Sequence, residues 1–364
     1  MTLPSFDELI GVIYRPTESG GLSPVQWDRV IRQGRRSNLL AHVGAAAQYN
    51  HCWHLVPAGP RMHIESALNL ATRQQRELRW EVQQITKALQ PTGVTFVLLK
   101  GAAYVMADLK AAKGRTVSDV DILVPRDALP AIESALMMAG WVSTTKSAYD
   151  QHYYRTWMHE LPPMRHIKRG TTIDVHHAIL PIMANIHPSS EKLLANARSL
   201  DSENCAKVLA PVDMLLHSAT HLFHEGEFEQ GLRGLIDIDR LLTEFGSQSF
   251  FWSDLVPRAI ELELTRPLFY ALRYTRMVLK TSVPDAVVEA LQQTSGGRLS
   301  VAGRLLMDAL FLRALRPPHA SASDAFTPMA RGFLYMRGHW LRMPFWLLVR
   351  HLARKLILYT KKTD

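Results

Sequence analysis

Cysteine is scarce in this chain: Cys52 and Cys205 are the only two among 364 residues. They cannot build a disulfide framework, and no Cys-x-x-Cys pair offers a zinc or redox site, which fits a reducing cytoplasm. There is no run of about 18 apolar residues, so a membrane-spanning helix is not expected. The opening MTLPSFDELIGVIYRP lacks a basic region followed by an apolar one, and no secretory leader is expected from it. Internal repeats and long low-complexity tracts are also missing. What is present describes a folded protein. Hydrophobic residues make up 47% and charged residues 21%, fractions that exclude whole-chain disorder, and the length accommodates roughly two or three domains.

The formal charge of +9 first suggests a nucleic-acid binder, but its distribution argues otherwise. Eight of the 42 basic and one of the 33 acidic side chains follow residue 330, so residues 331–364 carry +7 and the preceding 330 residues only +2. That tail interleaves Phe333, Tyr335, Trp340, Phe345 and Trp346 with arginines, and Pro344 divides it. Three readings stand side by side. The apolar face can pack on the body with the arginines solvated, the helix can lie on an anionic membrane surface, or it can meet RNA or an acidic peptide.

Apolar periodicity predicts helices over 24–49, N-capped by Ser23 with Pro24 at the first helical position, and over 62–90. The texture then changes. Val94 to Leu99 reads as a buried strand, Ala102 to Lys110 as a short helix, Val117 to Val124 as a second strand, and Asp127 to Ala139 as a helix closing at Gly140. Segments 141–145, 152–157 and 171–175 are further strand candidates. Helical spacing resumes in 211–224, 229–245, 251–263, 266–279, 284–293 and 298–315, and Arg316-Pro317-Pro318-His319 reads as a linker. The expected class is α+β: a small mixed-sheet core at 92–180, an N-terminal helical segment at 1–91, a larger helical domain at 181–318 and a basic amphipathic tail at 319–364.

The richest chemistry lies in VLLKGAAYVMADLKAAKGRTVSDVDILV, residues 97–124. Alternation along a strand points Asp119 and Asp121 to the same face. Two like charges on a mostly apolar strand repel unless a cation sits between them, and hard oxygen donors suit Mg²⁺. Asp174, in TTIDVHH, supplies a third carboxylate from a second apolar strand. Three such groups can hold two Mg²⁺ ions, one activating a hydroxyl and the other stabilising a leaving pyrophosphate. Gly101 allows close backbone approach to a phosphate at a helix start, and Lys100 and Arg115 are cations placed for phosphate oxygens. His176 shares the strand face of Asp174 and can act on a proton or brace a ligand, or serve simply as a hydrogen-bonded structural histidine. His217, His221 and His224 form a helical stripe without the HExxH order of a zincin, better read as a buried polar stripe facing the sheet. Arg233 and Asp237 read as an i,i+4 pair on the following helix.

These motifs, LLKGAA, the following Arg, SDVDILV, AGW and IDVHH, resemble the polymerase-beta-like nucleotidyltransferase superfamily. Within it they are most similar to a family of uncharacterised bacterial nucleotidyltransferases with Lys-Gly at the usual Gly-Ser turn. The resemblance implies transfer of a nucleoside monophosphate from an NTP such as ATP, with Asp119, Asp121 and Asp174 as catalytic metal ligands for Mg²⁺ or Mn²⁺ and Lys100, Gly101 and Arg115 at the nucleotide phosphates. It leaves the acceptor open among peptide, protein, sugar and RNA. A second reading keeps the fold as a non-catalytic protein that docks a membrane or a biosynthetic partner through 331–364. Either way a cytoplasmic protein is expected, with contact to the inner membrane face through the tail.

Overall fold

The computed structural model describes residues 6–145, 147–200 and 205–343. Four helices open the chain: α1 (Asp7–Tyr14), α2 (Pro24–Arg36), α3 (Leu40–Tyr49) and α4 (Ala58–Leu89). Ser23 and Gln26 form a reciprocal capping box at the start of α2, which satisfies two otherwise unpaired helix-start N–H groups. The single helix predicted over 24–49 is divided. Asn38 takes a left-handed conformation and the Leu39 N–H closes back on the Gly34 carbonyl, a helix-terminating arrangement that Asn tolerates better than most residues. In α4 the buried positions Ile64, Ala71, Leu78 and Ile85 recur every seven residues, joined by Val82 and Leu89, so one stripe of a 32-residue helix packs on the core.

The middle of the chain builds a seven-stranded mixed sheet: β1 (Phe96–Leu98), α5 (Lys100–Met106), β2 (Asp119–Leu123), α6 (Leu129–Met138), β3 (Trp141–Ser143), α7 (Ala148–Trp157), β4 (Met164–His166), β5 (Thr172–His176), α8 (Ser190–Ala195), β6 (Arg198–Ser199) and β7 (Ala206–Val208). Strand order is β3-β4-β5-β2-β1-β7-β6. The central β2 pairs parallel with β5 and antiparallel with β1, and β1 pairs parallel with β7. The strand predicted at 152–157 is instead the end of helix α7. Aromatic residues serve both states, and here Tyr153 and Trp157 meet edge to face at i,i+4 with ring centroids 5.7 Å apart, while Met164–His166 takes the place in the sheet between β3 and β5.

Helices close the described chain: α9 (Pro211–His224), α10 (Gly231–Phe245), α11 (Phe251–Glu261), α12 (Thr265–Tyr274), α13 (Asp285–Gln293), α14 (Val301–Ala314) and α15 (Thr327–Arg342). One apolar cluster runs from Leu9 to Leu334 and includes residues of the N-terminal helices, the sheet and the C-terminal helices. Helices α9 and α10 lie over the end of the sheet where β2 begins, which brings residues distant in sequence to one place. The 316–322 stretch, read as a linker, is packed: Arg316 and Ala322 are buried, and Gln33 of α2 donates to Ser321 Oγ at 3.0 Å. The segment 344–364, including Pro344, Phe345 and Trp346 of the tail, lies outside the described residues.

Candidate active site

Asp119 and Asp121 share a face of β2, and the parallel register sets Asp174 of β5 directly beside Asp121. The three carboxylates singled out in the sequence therefore meet on one patch of sheet. Asp121 is buried, whereas Asp119 and Asp174 are half-buried. Burial opposes charge on Asp121, but the Lys100 ammonium and His176 outweigh it and hold the carboxyl below the usual carboxylate range. Lys100 Nζ and His176 Nε2 both donate to Asp121 Oδ1 at 3.0 Å. Asp174 goes the other way: burial first, then the charges of Asp121 and Glu160, push it up to about 7. Its Oδ1 is buried and has no hydrogen-bond partner. A buried, unpaired carboxylate oxygen next to two other acids is poorly satisfied by protein alone. A hard divalent cation fits these oxygen donors, and Asp119, Asp121 and Asp174 are the residues able to hold it.

Lys100 opens α5 with a φ of 45°, a left-handed conformation that costs a non-glycine residue on the order of 1–2 kcal/mol. The backbone there aims the side chain back at β2. Burial disfavours the ammonium, while Asp121 and Glu225 keep it protonated.

Gly101 has a steric role of its own. A Cβ at this position would overlap Arg115 Nη1 and crowd Val117, so the absent side chain is the seat of a guanidinium. Arg115 Nε donates to Asp237 Oδ2 at 2.9 Å, and its guanidinium lies over the Tyr104 ring, 5.4 Å from the centroid. Asp237 thus pairs with Arg115 and not with Arg233 as the helical spacing predicted. The loop carrying Arg115 is fixed from both sides: Gln75 Nε2 of α4 donates to the Ala112 and Arg115 carbonyls at 2.7 Å, and Arg240 of α10 donates to the Lys113 carbonyl at 2.7 Å.

These groups wall a cleft of about 400 Å³ whose lining includes Asn38, Lys100, Gly101, Arg115, Asp119, Asp121, His221 and Arg233. Asp174 is not part of this wall and meets the pair along the sheet. Among the described residues Arg233 makes no hydrogen bond or ion pair, and burial together with neighbouring Arg115 lowers its pKa. Of the cleft's three cations, Lys100 and Arg115 are in close ion pairs with carboxylates, whereas Arg233 feels Asp237 and Asp119 only at longer range.

The α9 stripe, expected to be buried and to face the sheet, divides: His217 and His221 face this region, His221 exposed, whereas His224 lies against Arg337 and the Leu341 backbone of α15. His217 is buried, and that burial with Lys100 nearby pulls its pKa down to about 3. His221 Nδ1 contacts Glu225 Oε2 at 2.7 Å. His176 bridges outward, with Nδ1 3.3 Å from Glu160 Oε2 and its ring 5.2 Å from that of His159. Glu160, His159, Asp237 and Arg233 complete the neighbourhood without having been marked as site residues by the sequence reading. Asp237 stands 122 positions from the Arg115 it answers, and His159 and Glu160 lie outside any motif, with His-Glu ahead of Pro162-Pro163 as the only local hint to them. In a larger surface cleft of about 640 Å³ between α8 and α11, Arg258 pairs with Asp213 and Glu261, and Lys192 with Glu261.

No curated protein matches this chain. The model of a family described as uncharacterised nucleotidyltransferase matches residues 23–280, which takes in α2 through α12, all three carboxylates and the cleft. The chain belongs to the uncharacterised nucleotidyltransferase family.

Proposed function

We propose that the protein is a Mg²⁺-dependent nucleotidyltransferase that moves a nucleoside monophosphate from an NTP to an acceptor hydroxyl or phosphate and releases pyrophosphate. The observation that carries this reading is the in-register pairing of Asp121 with Asp174, beside Asp119 and with Asp174 Oδ1 buried and unpartnered. Asp119, Asp121 and Asp174 would hold Mg²⁺, or Mn²⁺, which accepts the same donors; the ions supply charge neutralisation at the phosphates and acidity at the nucleophile. The chain's own groups do the rest. Arg233, at the cleft with no paired carboxylate, binds the triphosphate through a forked contact. Arg115 and Lys100 raise the positive potential around it, and Gly101 keeps the Arg115 seat clear. The acceptor oxygen forms a bond to the α-phosphorus as the bond from that phosphorus to the bridging oxygen breaks. The electron pair leaves with pyrophosphate, and Asp174 receives the acceptor's proton. The acceptor is a peptide, protein, sugar or RNA.

The test is Asp119→Ala and Asp121→Ala, assayed for Mg²⁺-dependent incorporation of labelled NTP into extract from the source cells. Both variants should keep the helical circular-dichroism spectrum and lose at least 100-fold in transfer. Transfer at the native rate in both would remove the assignment.

We also propose that α15, with the segment that follows it, docks on an anionic membrane surface. The described part of the tail is oriented opposite to an ordinary solvated arginine face. Arg331 donates to the Arg316 carbonyl and Arg337 to the Phe223 carbonyl, and Arg337 also lies over the Tyr270 and Phe311 rings. Phe333, Met336 and Trp340 point out, 50%, 57% and 60% exposed. Met329 and Tyr335 extend this face, and Leu305 and Leu306 of α14 are exposed beside it. An apolar patch of aromatics and methionines, followed in the sequence by Arg350, Arg354, Lys355, Lys361 and Lys362, suits the boundary of an anionic bilayer. Phe333→Ser with Trp340→Ser should abolish sedimentation with phosphatidylglycerol vesicles while leaving the melting temperature within a few degrees; undiminished sedimentation would refute the docking face. No helix among the described residues is long and apolar enough to cross a membrane.

A further inference from the structure

We propose that His159, Glu160 and His176 form a binding site for one divalent transition-metal ion of the Zn²⁺, Co²⁺ or Mn²⁺ class, beside the carboxylate site but not made from it. This inference stands whether or not the chain transfers nucleotides. One ligand atom from each residue lies within 4.8 Å of the others. Two imidazoles and one carboxylate form a mixed nitrogen–oxygen donor set, which suits these ions and not Mg²⁺, whose preference is for oxygen alone.

The backbone holds the three side chains together. The segment leaving α7 returns onto β5 through an antiparallel bridge between Glu160 and His176. Leu161 N–H donates to the Val175 carbonyl and His177 N–H to the His159 carbonyl, both at 2.8 Å. His159 and Glu160 are therefore not on a free loop, and their side chains meet His176 from a fixed direction.

Hydrogen bonding then defines what is missing. His176 Nε2 lies 3.0 Å from Asp121 Oδ1 and Nδ1 3.3 Å from Glu160 Oε2, so the ring stands between two carboxylates, and with Nε2 donating to Asp121 a deprotonated Nδ1 and Glu160 are both acceptors. Two acceptors at that distance need a cation between them. A proton on Nδ1 would satisfy Glu160 alone. It would leave the half-buried His159 ring against an imidazolium, 5.2 Å between centroids, with His159 Nδ1 buried and without a partner. A metal ion uses all three residues at once. The Asp121 carboxylate behind His176 is the orienting partner that metal-bound histidines usually have. Around an ion with bonds of about 2.1 Å, tetrahedral ligand atoms stand roughly 3.4 Å apart, so loading requires only side-chain adjustment, and one coordination position stays open.

The test uses the chelator-stripped full-length protein titrated with Co²⁺ in the presence of millimolar Mg²⁺. One equivalent should bind and give the visible d–d absorption of a four-coordinate site, displaced by Zn²⁺ and not by further Mg²⁺. Glu160→Gln and His159→Ala should each weaken Co²⁺ binding at least tenfold, whereas Asp119→Asn should leave the spectrum in place. Glu160→Gln preserves shape, so its result is readable even if His159→Ala folds poorly. The proposal is overturned if no Co²⁺ binds, if Glu160→Gln binds it with native affinity, or if Asp119→Asn abolishes the signal.

Discussion

A methyl group added at residue 101 would reach well beyond its own backbone, because the space it needs holds the Arg115 guanidinium. That guanidinium is largely shielded from solvent and paired with the buried Asp237, and displacing one partner leaves the other charge uncompensated. Gly101→Ala is expected to lower stability by about 1–3 kcal/mol, the usual range for overpacking, and to weaken NTP binding, read by thermal melts and calorimetry. A native melt with native affinity would show that Arg115 can move at no cost. Arg233 gives the opposite pattern. It lines the cleft without a hydrogen bond or ion pair among the described residues, so Arg233→Ala should shift stability by no more than about 0.5 kcal/mol. The same change should raise the KM for NTP about tenfold, as loss of a charge-assisted contact does. An unchanged KM would take Arg233 out of the nucleotide site.

Among the elements, α9 matches the helix predicted from Pro211 to His224 residue for residue, because a proline start and a strong apolar period mark it locally. Helix α7 does not match, since tyrosine and tryptophan suit either period. The last described helix, α15, joins the body through Leu334 and Ala330, both buried, and through Gly338, which lies against the backbone of Glu225 and Gly226. A chain ending after Met343 should therefore fold as the full-length protein does and lose part of its vesicle binding. A chain ending at residue 330 also removes Leu334 and the Arg337 stack, and the missing leucine alone is worth about 2–4 kcal/mol. Comparing the melting temperatures of the two truncations decides this, and equal temperatures would mean that α15 contributes no core.

For the molecule as a whole, buried neutral histidines make stability depend on acid. His42 is fully buried with neither ring nitrogen hydrogen-bonded, and burial, then the arginines Arg240 and Arg115, lowers its pKa well below 6.5. Burial and Arg337 lower His224 to about 4. In the unfolded chain both titrate near 6.5. Their contribution is therefore complete above pH 6.5 and is lost as pH falls below it, because the unfolded state then binds the extra protons. Each contributes a slope of about 1.4 kcal/mol per pH unit between 6.5 and its folded value. Urea melts of the native protein and of His224→Gln from pH 7.5 to 4.5 should diverge in slope by that amount below pH 6.5, and parallel curves would contradict it.

Local pattern alone determined much of this protein. Alternation put Asp119 and Asp121 on one face, β-branched runs marked β1, β2 and β5, and three- and four-residue steps marked most of the helices. Those signals act between neighbours, so one dimension suffices to read them. Tertiary structure decided the rest. That Asp174 lies in register with Asp121, that Asp237 answers Arg115 across 122 residues and not Arg233 on its own helix, and that Glu160 returns to His176 are choices of strand order and helix packing. Arg337 of α15 likewise turns inward because Phe223, Tyr270 and Phe311 offer carbonyl and ring acceptors there. A charge has no fixed partner along a sequence; the partner is whichever opposite group the fold brings within hydrogen-bonding distance as both lose water.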